Sequence, residues 1–219
     1  MNSPILQLLV LAGIAIFLIL RLRSVLGTRE GFEKPPVPRQ RDNDRQAPEL
    51  EVIESGPDHD IIDHVPEDSD AAKALAKMKR IDNDFVVRDF LQGARGAYEM
   101  ILTAFENGDM ADIKPFLSDD VYEAFAEVVE SRNEQGLNID FTFVGVSELK
   151  LADADFDDMT NEAELTVRFI GEMTSVVRDR AGDVIEGSAT DIKRQRDVWT
   201  FARKMGTSDP NWTLVATGE

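Results

Sequence analysis

The sequence predicts an α+β fold in which an N-terminal transmembrane helix and a disordered linker precede helices packed on a curved antiparallel sheet. Three observations support this fold class. A single apolar run opens the chain, apolar residues recur every three or four positions in residues 71–136, and apolar and polar residues alternate in residues 139–216. Because the helices precede the strands without a repeating strand–helix unit, we expect the sheet to be antiparallel.

Residues 1–28 are predicted to be a transmembrane anchor and its juxtamembrane segment. The run 5–20 is apolar except for Gln7, and a helix of this length rises about 24 Å against a hydrocarbon core of about 30 Å. Positive charge follows the run and does not precede it, which predicts an uncleaved single-pass anchor with a cytoplasmic C-terminal domain; a removed export signal is the alternative. The anchor residues are Ile5, Leu9, Ile16, Leu20, Arg21 and Arg23.

Residues 29–70 are predicted to be a disordered, acidic, proline-rich linker. They contain six of the nine prolines, with 5 basic and 13 acidic side chains. Such a composition cannot bury enough apolar surface to offset the entropy of ordering the chain. One short apolar pair, Ile61 and Ile62, interrupts it. Leu50, Val52 and Ile53 could form a short docking motif, with plain linker as the alternative.

Composition excludes several classes of function. Cysteine is absent, so neither a disulfide framework nor a thiolate metal site is expected. Residues 71–219 hold 17 basic and 29 acidic side chains. Because nucleic-acid binding requires clustered Lys and Arg facing phosphates, we expect no nucleic-acid partner.

The first half of the domain 71–219 is predicted to be helical. Its longest helix carries an apolar stripe that includes Phe90, Tyr98 and Phe105. Asp109 and Ser118 stand where N-caps are expected, and glycines stand where helices are expected to end. The predicted helices cover residues 71–81, about Asp84 to Gly108, 110–117 and 119 to Gly136.

The second half is predicted to form four or five strands, because alternation marks strands with one solvated face. Such a sheet curved over the helices would make a half-open cone with an apolar cavity at its wide end. The alternating segments are 139–143, 163–169 and the pair 199–201 and 212–216, with a turn around 179–183 after Val176 and Val177.

Several segments together resemble the Tim44-like domain family, the C-terminal domain of the motor adaptor of the mitochondrial inner-membrane import translocase. The resemblance covers about 71–219 and the anchor, where residues 20–27 look like the bacterial branch of the family, and it does not cover the linker. The segments are 82–85, 90–98, 117–122, 197–203 and 211–217.

This resemblance implies a cone of the nuclear-transport-factor-two-like kind, a large apolar pocket, contact with anionic inner-membrane lipids and, in mitochondria, recruitment of a chaperone motor to the translocation channel. The chain departs from the mitochondrial pattern, because it has neither an Arg-rich targeting sequence nor a long charged N-terminal region. The resemblance therefore favours membrane attachment over chaperone-driven import.

The aromatic side chains of the domain are candidates for the wall of that pocket. A cavity of this kind would bind a lipid tail, an apolar peptide or a partner helix. The alternative is a filled core, which a small domain needs in any case. The candidate pocket residues are Tyr98, Phe105, Tyr122, Phe125, Phe141, Phe143, Trp199 and Phe201.

The helix 71–81 is a candidate membrane-interface helix, because it is basic and contains no acid. A cationic face beside apolar residues suits the surface of an anionic membrane. An ordinary solvated helix face is an equal alternative. The candidate residues are Lys73, Leu75, Lys77, Met78 and Arg80.

Catalysis and metal binding are not expected. Histidine is absent from residues 71–219, and Asp197 is interpreted as an exposed strand position, although a buried acid there could act. The acidic residues 153–158 lack the glycine and final glutamate of a calcium loop and are interpreted as a solvated turn. No catalytic residue, metal ligand or cofactor is predicted.

These observations predict a non-catalytic adaptor that binds partner proteins at the cytoplasmic face of the bacterial inner membrane, in protein translocation or membrane-protein quality control. Membrane lipids and unidentified proteins are the expected partners. The alternative is a membrane-tethered carrier or sensor of a small apolar ligand or lipid held in the pocket.

Overall fold

The structure, a computed structural model, describes residues 58–218. The predicted anchor and most of the predicted linker, with its possible docking motif, lie outside the described residues. Within residues 58–218, no helix combines the length and the hydrophobicity needed to cross a bilayer.

Helices precede strands in the described chain, as predicted. The α-helices are α1 (His59–Ile62), α2 (Asp70–Ile81), α3 (Val87–Asn107), α4 (Met110–Ile113) and α5 (Asp119–Gln135), and a 3₁₀ helix spans Lys114–Phe116. The strands are β1 (Asn138–Asp157), β2 (Glu162–Arg178), β3 (Val184–Lys204) and β4 (Thr213–Gly218).

The four strands form one antiparallel sheet in the order β1-β2-β3-β4. In its middle, Phe169 of β2 lies opposite Leu149 of β1 and Asp197 of β3. Register shifts interrupt every pair of strands, and such bulges bend a strand and increase its twist. The predicted α+β class with an antiparallel sheet is confirmed.

Local end signals account for most helix boundaries. Ser118 accepts the Val121 N–H, and Gly108 and Gly136 adopt φ of 81° and 69°, a region where glycine has no Cβ penalty. The prediction of one helix over 110–117 is wrong. The chain is α-helical only to Ile113 and then turns into the 3₁₀ segment that contains a proline, and Asp109 makes no side-chain cap bond.

The folded region begins before residue 71, which corrects the predicted end of the linker. Ile61 and Val65 are buried with 5% and 6% of their surface exposed. The Asp60 carboxylate accepts the N–H groups of Val87 and Arg88 at 2.8 and 3.1 Å. These donors are unsatisfied amides at the start of α3, where Val86 supplies no side-chain cap, so Asp60 caps that helix from 27 residues away.

The Asp60 cap is expected to stabilise the fold in a pH-dependent way. Burial raises the pKa of Asp60, but the Lys79 ammonium and the two α3 amides outweigh that effect and lower this pKa below its ordinary value. A lowered carboxyl pKa stabilises the fold above the unfolded-state value of about 3.9 and ceases to do so as pH falls through the folded-state value.

Asp60→Asn is therefore expected to reduce the free energy of unfolding by about 1–2 kcal/mol at pH 7, with a much smaller difference from wild type at pH 3. Urea unfolding followed by tryptophan fluorescence measures both values. Asp63→Asn, at an exposed position one turn away, is the control and should change stability little. An equal loss for Asp60→Asn at both pH values would contradict the proposed charge effect.

The acidic stretch 153–158 is not a turn throughout. Asp153, Asp155 and Asp157 lie on β1, and the turn follows them, where Asp157 accepts the Met159 N–H at 2.7 Å. Ala154 and Phe156 are buried and alternate with the exposed Asp153, Asp155 and Asp157, so the strand pattern is present within the run of acids.

Candidate functional site

Tyr98 projects from α3 onto the helix-covered side of the sheet and has no exposed surface. Its ring stacks on Phe169 with centroids 4.4 Å apart and planes 5° apart. Its other ring neighbours are Trp199 at 4.8 Å and Phe143 at 6.0 Å. These separations are those of aromatic rings in contact, so this cluster is packed as a core.

Gly171 of β2 makes room for Tyr98. A Cβ placed at residue 171 would lie 2.5 Å from the Tyr98 hydroxyl oxygen, closer than real side chains approach. The tyrosine therefore sits directly on the backbone of the sheet. This contact corrects the prediction that Tyr98, Trp199 and Phe143 line a hollow, because the first of them occupies the space that the others were expected to enclose.

Tyr98 also ends in a buried polar network that the sequence analysis missed. Its hydroxyl donates to the Asp197 carboxylate at 2.5 Å, and the Gln195 amide donates to the other oxygen at 3.0 Å. Asp197 is 7% exposed, so its interpretation as an exposed position is wrong. Strand periodicity indicates the burial of Asp197. Residues 197, 199 and 201 share one face of a strand, and Trp199 and Phe201 are core aromatics.

The Tyr98 hydroxyl keeps its proton in this network. Burial, together with the bond to Asp197, raises the pKa of Tyr98 well above its ordinary value. The phenol therefore remains a hydrogen-bond donor throughout the physiological range. This arrangement orients a core tyrosine and satisfies a buried carboxylate, which would be costly to leave without partners.

A second aromatic group lies between α3 and α5 and is half-buried. Phe105 and Phe125 are 4.6 Å apart, and the Arg132 guanidinium lies 4.6 Å from the Phe105 ring. Tyr122 lies beneath the Lys114 ammonium at 5.0 Å. Partly exposed rings with cations over their faces are features of a protein-binding surface as well as of a core margin.

The predicted pocket residues thus divide into a buried and a half-buried group. Tyr98, Trp199 and Phe201 are buried, whereas Phe105, Tyr122, Phe125, Phe141 and Phe143 are half-buried. A depression of about 330 Å³ lies elsewhere, at the turn between β3 and β4, and none of the eight residues contributes to it. Its walls are mainly polar: Glu162, Ala202, Arg203, Lys204, Thr207, Asp209, Asn211, Thr213 and Val215.

The basic helix α2 packs its apolar side on the domain and exposes its basic side to solvent. Leu75 and Met78 have no exposed surface, which corrects the prediction that they provide the apolar side of a membrane-interface helix. Lys77 pairs with Asp158 at 2.5 Å, so one of its cations is neutralised within the domain.

The remaining basic residues of α2 have similar local partners. Lys73 pairs with Asp70 at 2.8 Å, and Lys79 pairs with Asp58 and Asp60, each at 2.8 Å. Arg80 is exposed and donates to the carbonyl of a residue one turn earlier, Ala76, at 3.2 Å.

Among residues 58–218, no strand pairs with the outer edge of β3 over more than half of its length. β4 pairs only with Val198–Ala202, and β2 occupies the other side of the strand. Residues 184–196 are all exposed except Ser188, which is half-buried. Val184, Ile185 and Ile192 are each more than half exposed.

Over residues 58–218, no three or more His, Cys, Asp or Glu side chains are grouped so that they could hold a metal ion. The acidic residues at the end of β1 point into solvent at alternate positions, and Asp157 caps a turn.

Residues 71–219 match the Tim44-like domain family. The mitochondrial import inner membrane translocase subunit TIM44 of Homo sapiens is 22% identical over 159 residues, which are 71% of this chain and 35% of the human protein. The crystal structure of the intermembrane space region of chloroplast protein ARC6 aligns with 58% of this chain and 94% of its own, at 11% identity and a TM-score of 0.42. The chain spans about a third of the human relative and belongs to the Tim44-like domain family.

Proposed function

We propose that this protein is a non-catalytic adaptor, tethered by residues 1–28 to the bacterial inner membrane, whose cytoplasmic domain binds partner proteins. The observation that carries the proposal is the filled interior of the sheet. Because Tyr98 fills the space between α3 and the sheet and stacks on Phe169, we assign recognition to the outer surface of the domain. Outer surfaces suit protein partners, whereas small ligands need concave, accessible sites.

The carrier and enzyme alternatives gain no support from the same site. A carrier would need free volume where Tyr98 lies. An enzyme acid must reach its substrate, and the Asp197 carboxylate is buried with Tyr98 and Gln195 as partners. We therefore assign the buried network a role in holding the fold.

The proposals of a membrane tether and of a cellular role are based on the sequence and on similarity to the human relative. Residues 5–20 are apolar and are followed by Arg21 and Arg23, a pattern typical of a span with its following domain in the cytoplasm. The human relative is a subunit of an inner-membrane import translocase. On that basis we propose that the partners take part in translocation or quality control of membrane proteins.

Proximity labelling in living cells tests the adaptor role. A labelling enzyme fused to the full-length chain should mark a reproducible set of protein neighbours, and deletion of residues 71–219 should remove that set while the tether remains. Carbonate washing of vesicles is the companion measurement and should leave the full-length chain in the membrane. An unchanged set of neighbours after the deletion would refute the adaptor role, and extraction by carbonate would refute the tether.

A further inference from the structure

The unpaired edge of β3 continues in line with β4. The last described residue of β4, Gly218, lies opposite Val198, and β3 extends beyond that point for residues 184–197. Lys193 to Asp197 is the regular part of this stretch, because each residue has a partner on β2, whereas residues 189–192 form a bulge. A strand edge of this kind presents alternate N–H and C=O groups to any chain that can lie beside it.

The side chains at this edge are cationic on an acidic domain. Lys193, Arg194 and Arg196 lie within four residues, while residues 71–219 as a whole carry 29 acids against 17 bases. Arg194 pairs with Glu172 at 2.9 Å and stays 73% exposed. In residues 58–218, Lys193 and Arg196 have no carboxylate within salt-bridge distance.

The cations are arranged on both faces of the strand. Arg194 and Arg196 point to one face, and Lys193 points to the other, because side chains alternate along a strand. A chain paired with this edge would therefore meet two guanidinium groups on one face at alternate positions. Acidic side chains spaced two residues apart would lie opposite them and gain from the pairing.

We propose that the β3 edge, residues 193–197, binds an extended acidic segment of a partner protein as a fifth strand of the sheet. The proposal rests on the adaptor function and names the chemistry that the adaptor recognises. Backbone hydrogen bonds supply the affinity, and the cations select acidic over basic segments, as in other cases of strand addition.

A second copy of this chain is a poor occupant of the same edge. Antiparallel pairing of two copies centred on Gln195 would place Arg194 of each copy opposite Arg196 of the other. Like charges opposite each other destabilise a strand pair. The bulge at 189–192 also interrupts the edge, which further limits self-association.

Three synthetic octapeptides test the proposal on the purified full-length chain in nonionic detergent micelles. The first alternates Glu and Val, the second alternates Lys and Val, and the third is the Glu–Val peptide with every amide N-methylated. N-methylation retains the charge and removes the backbone donors along both edges of the peptide. Amide hydrogen exchange of residues 193–197 and peptide binding at up to about 1 mM are the readouts.

Only the unmodified Glu–Val peptide should bind and slow exchange at residues 193–197, by about tenfold or more. Lys193→Glu combined with Arg196→Glu should weaken its binding by at least about tenfold. The matched control is Lys73→Glu with Arg88→Glu, an equal charge change at exposed sites on α2 and α3, which should alter binding by less than about twofold. Unchanged tryptophan fluorescence and melting temperature verify that both variants are folded.

Three outcomes overturn the inference. Equal binding of the N-methylated peptide would mean simple charge attraction without strand addition. Failure of all three peptides, or an unchanged neighbour set for the Lys193→Glu/Arg196→Glu chain in proximity labelling, would remove the edge as the recognition site. The adaptor function itself would fail only if deletion of residues 71–219 left the neighbours unchanged, so the two failures are distinguishable.

Discussion

Tyr98→Ala is expected to lower the free energy of unfolding by about 3–5 kcal/mol, the usual cost of truncating a large buried aromatic residue. The side chain has no exposed surface, and it stacks on Phe169 and contacts Trp199. Truncation also leaves the buried Asp197 carboxylate without the phenol. A domain of this size commonly has only about 5–15 kcal/mol of stability, so the variant should be close to unfolding.

Urea unfolding of the full-length chain in detergent measures this loss, because both tryptophans lie in the described domain and one touches Tyr98. Tyr98→Phe keeps the ring and should cost about 1.5–3 kcal/mol for the lost bond to a charged acceptor. Tyr122→Ala is the matched control at a half-buried site and should cost about 1 kcal/mol. If the two alanine variants lost the same stability, Tyr98 would not be the centre of the core.

Asp82→Asn is expected to cost about 2–4 kcal/mol, since it breaks a largely buried ion pair without changing the shape of the side chain. Asp82 accepts from the Arg203 guanidinium, and the two side chains are 21% and 11% exposed. That guanidinium also lies 5.1 Å from the Trp212 ring, and its Nε is buried without a hydrogen-bond partner. The variant leaves a buried cation with no compensating charge.

The Asp82 pair joins the end of α2 to β3, so its loss should loosen the helices from the sheet. Asp84→Asn removes the same charge at an exposed position two residues later and should change stability by less than about 0.5 kcal/mol. Thermal unfolding at low and high salt distinguishes a buried from an exposed ion pair, because salt screens buried pairs much less than exposed ones. A loss that disappears in 0.5 M salt, on the order of a 4 Å Debye length, would contradict the buried pair.

Local signals predicted most of the helical half of the fold. Ser118, Gly108 and Gly136 set helix boundaries through contacts within a few residues, so their effect can be read along the chain. The Asp60 cap could not be anticipated in this way. Its donors are 27 and 28 residues away, and its own segment has the composition of a linker.

The interior was predicted in composition but not in arrangement. Alternation identified Trp199 and Phe201 as inward-facing, and the same period places Asp197 beside them. What the sequence could not provide is the contact between Tyr98 and the backbone at Gly171, which decides whether the space between α3 and the sheet is hollow or filled. That contact joins residues 73 positions apart and depends on how α3 packs on the sheet.

Site-specific photocrosslinking in living cells tests the central claim, that the outer surface of a tethered domain captures proteins. A photoreactive phenylalanine at Ile192, beside the open edge of β3, is compared with one at Met159, which is 91% exposed in the turn between β1 and β2. We expect discrete protein adducts from residue 192, few from residue 159, and loss of the former when the chain also carries Lys193→Glu and Arg196→Glu. Equal adducts from both sites, or adducts with lipid alone, would contradict it.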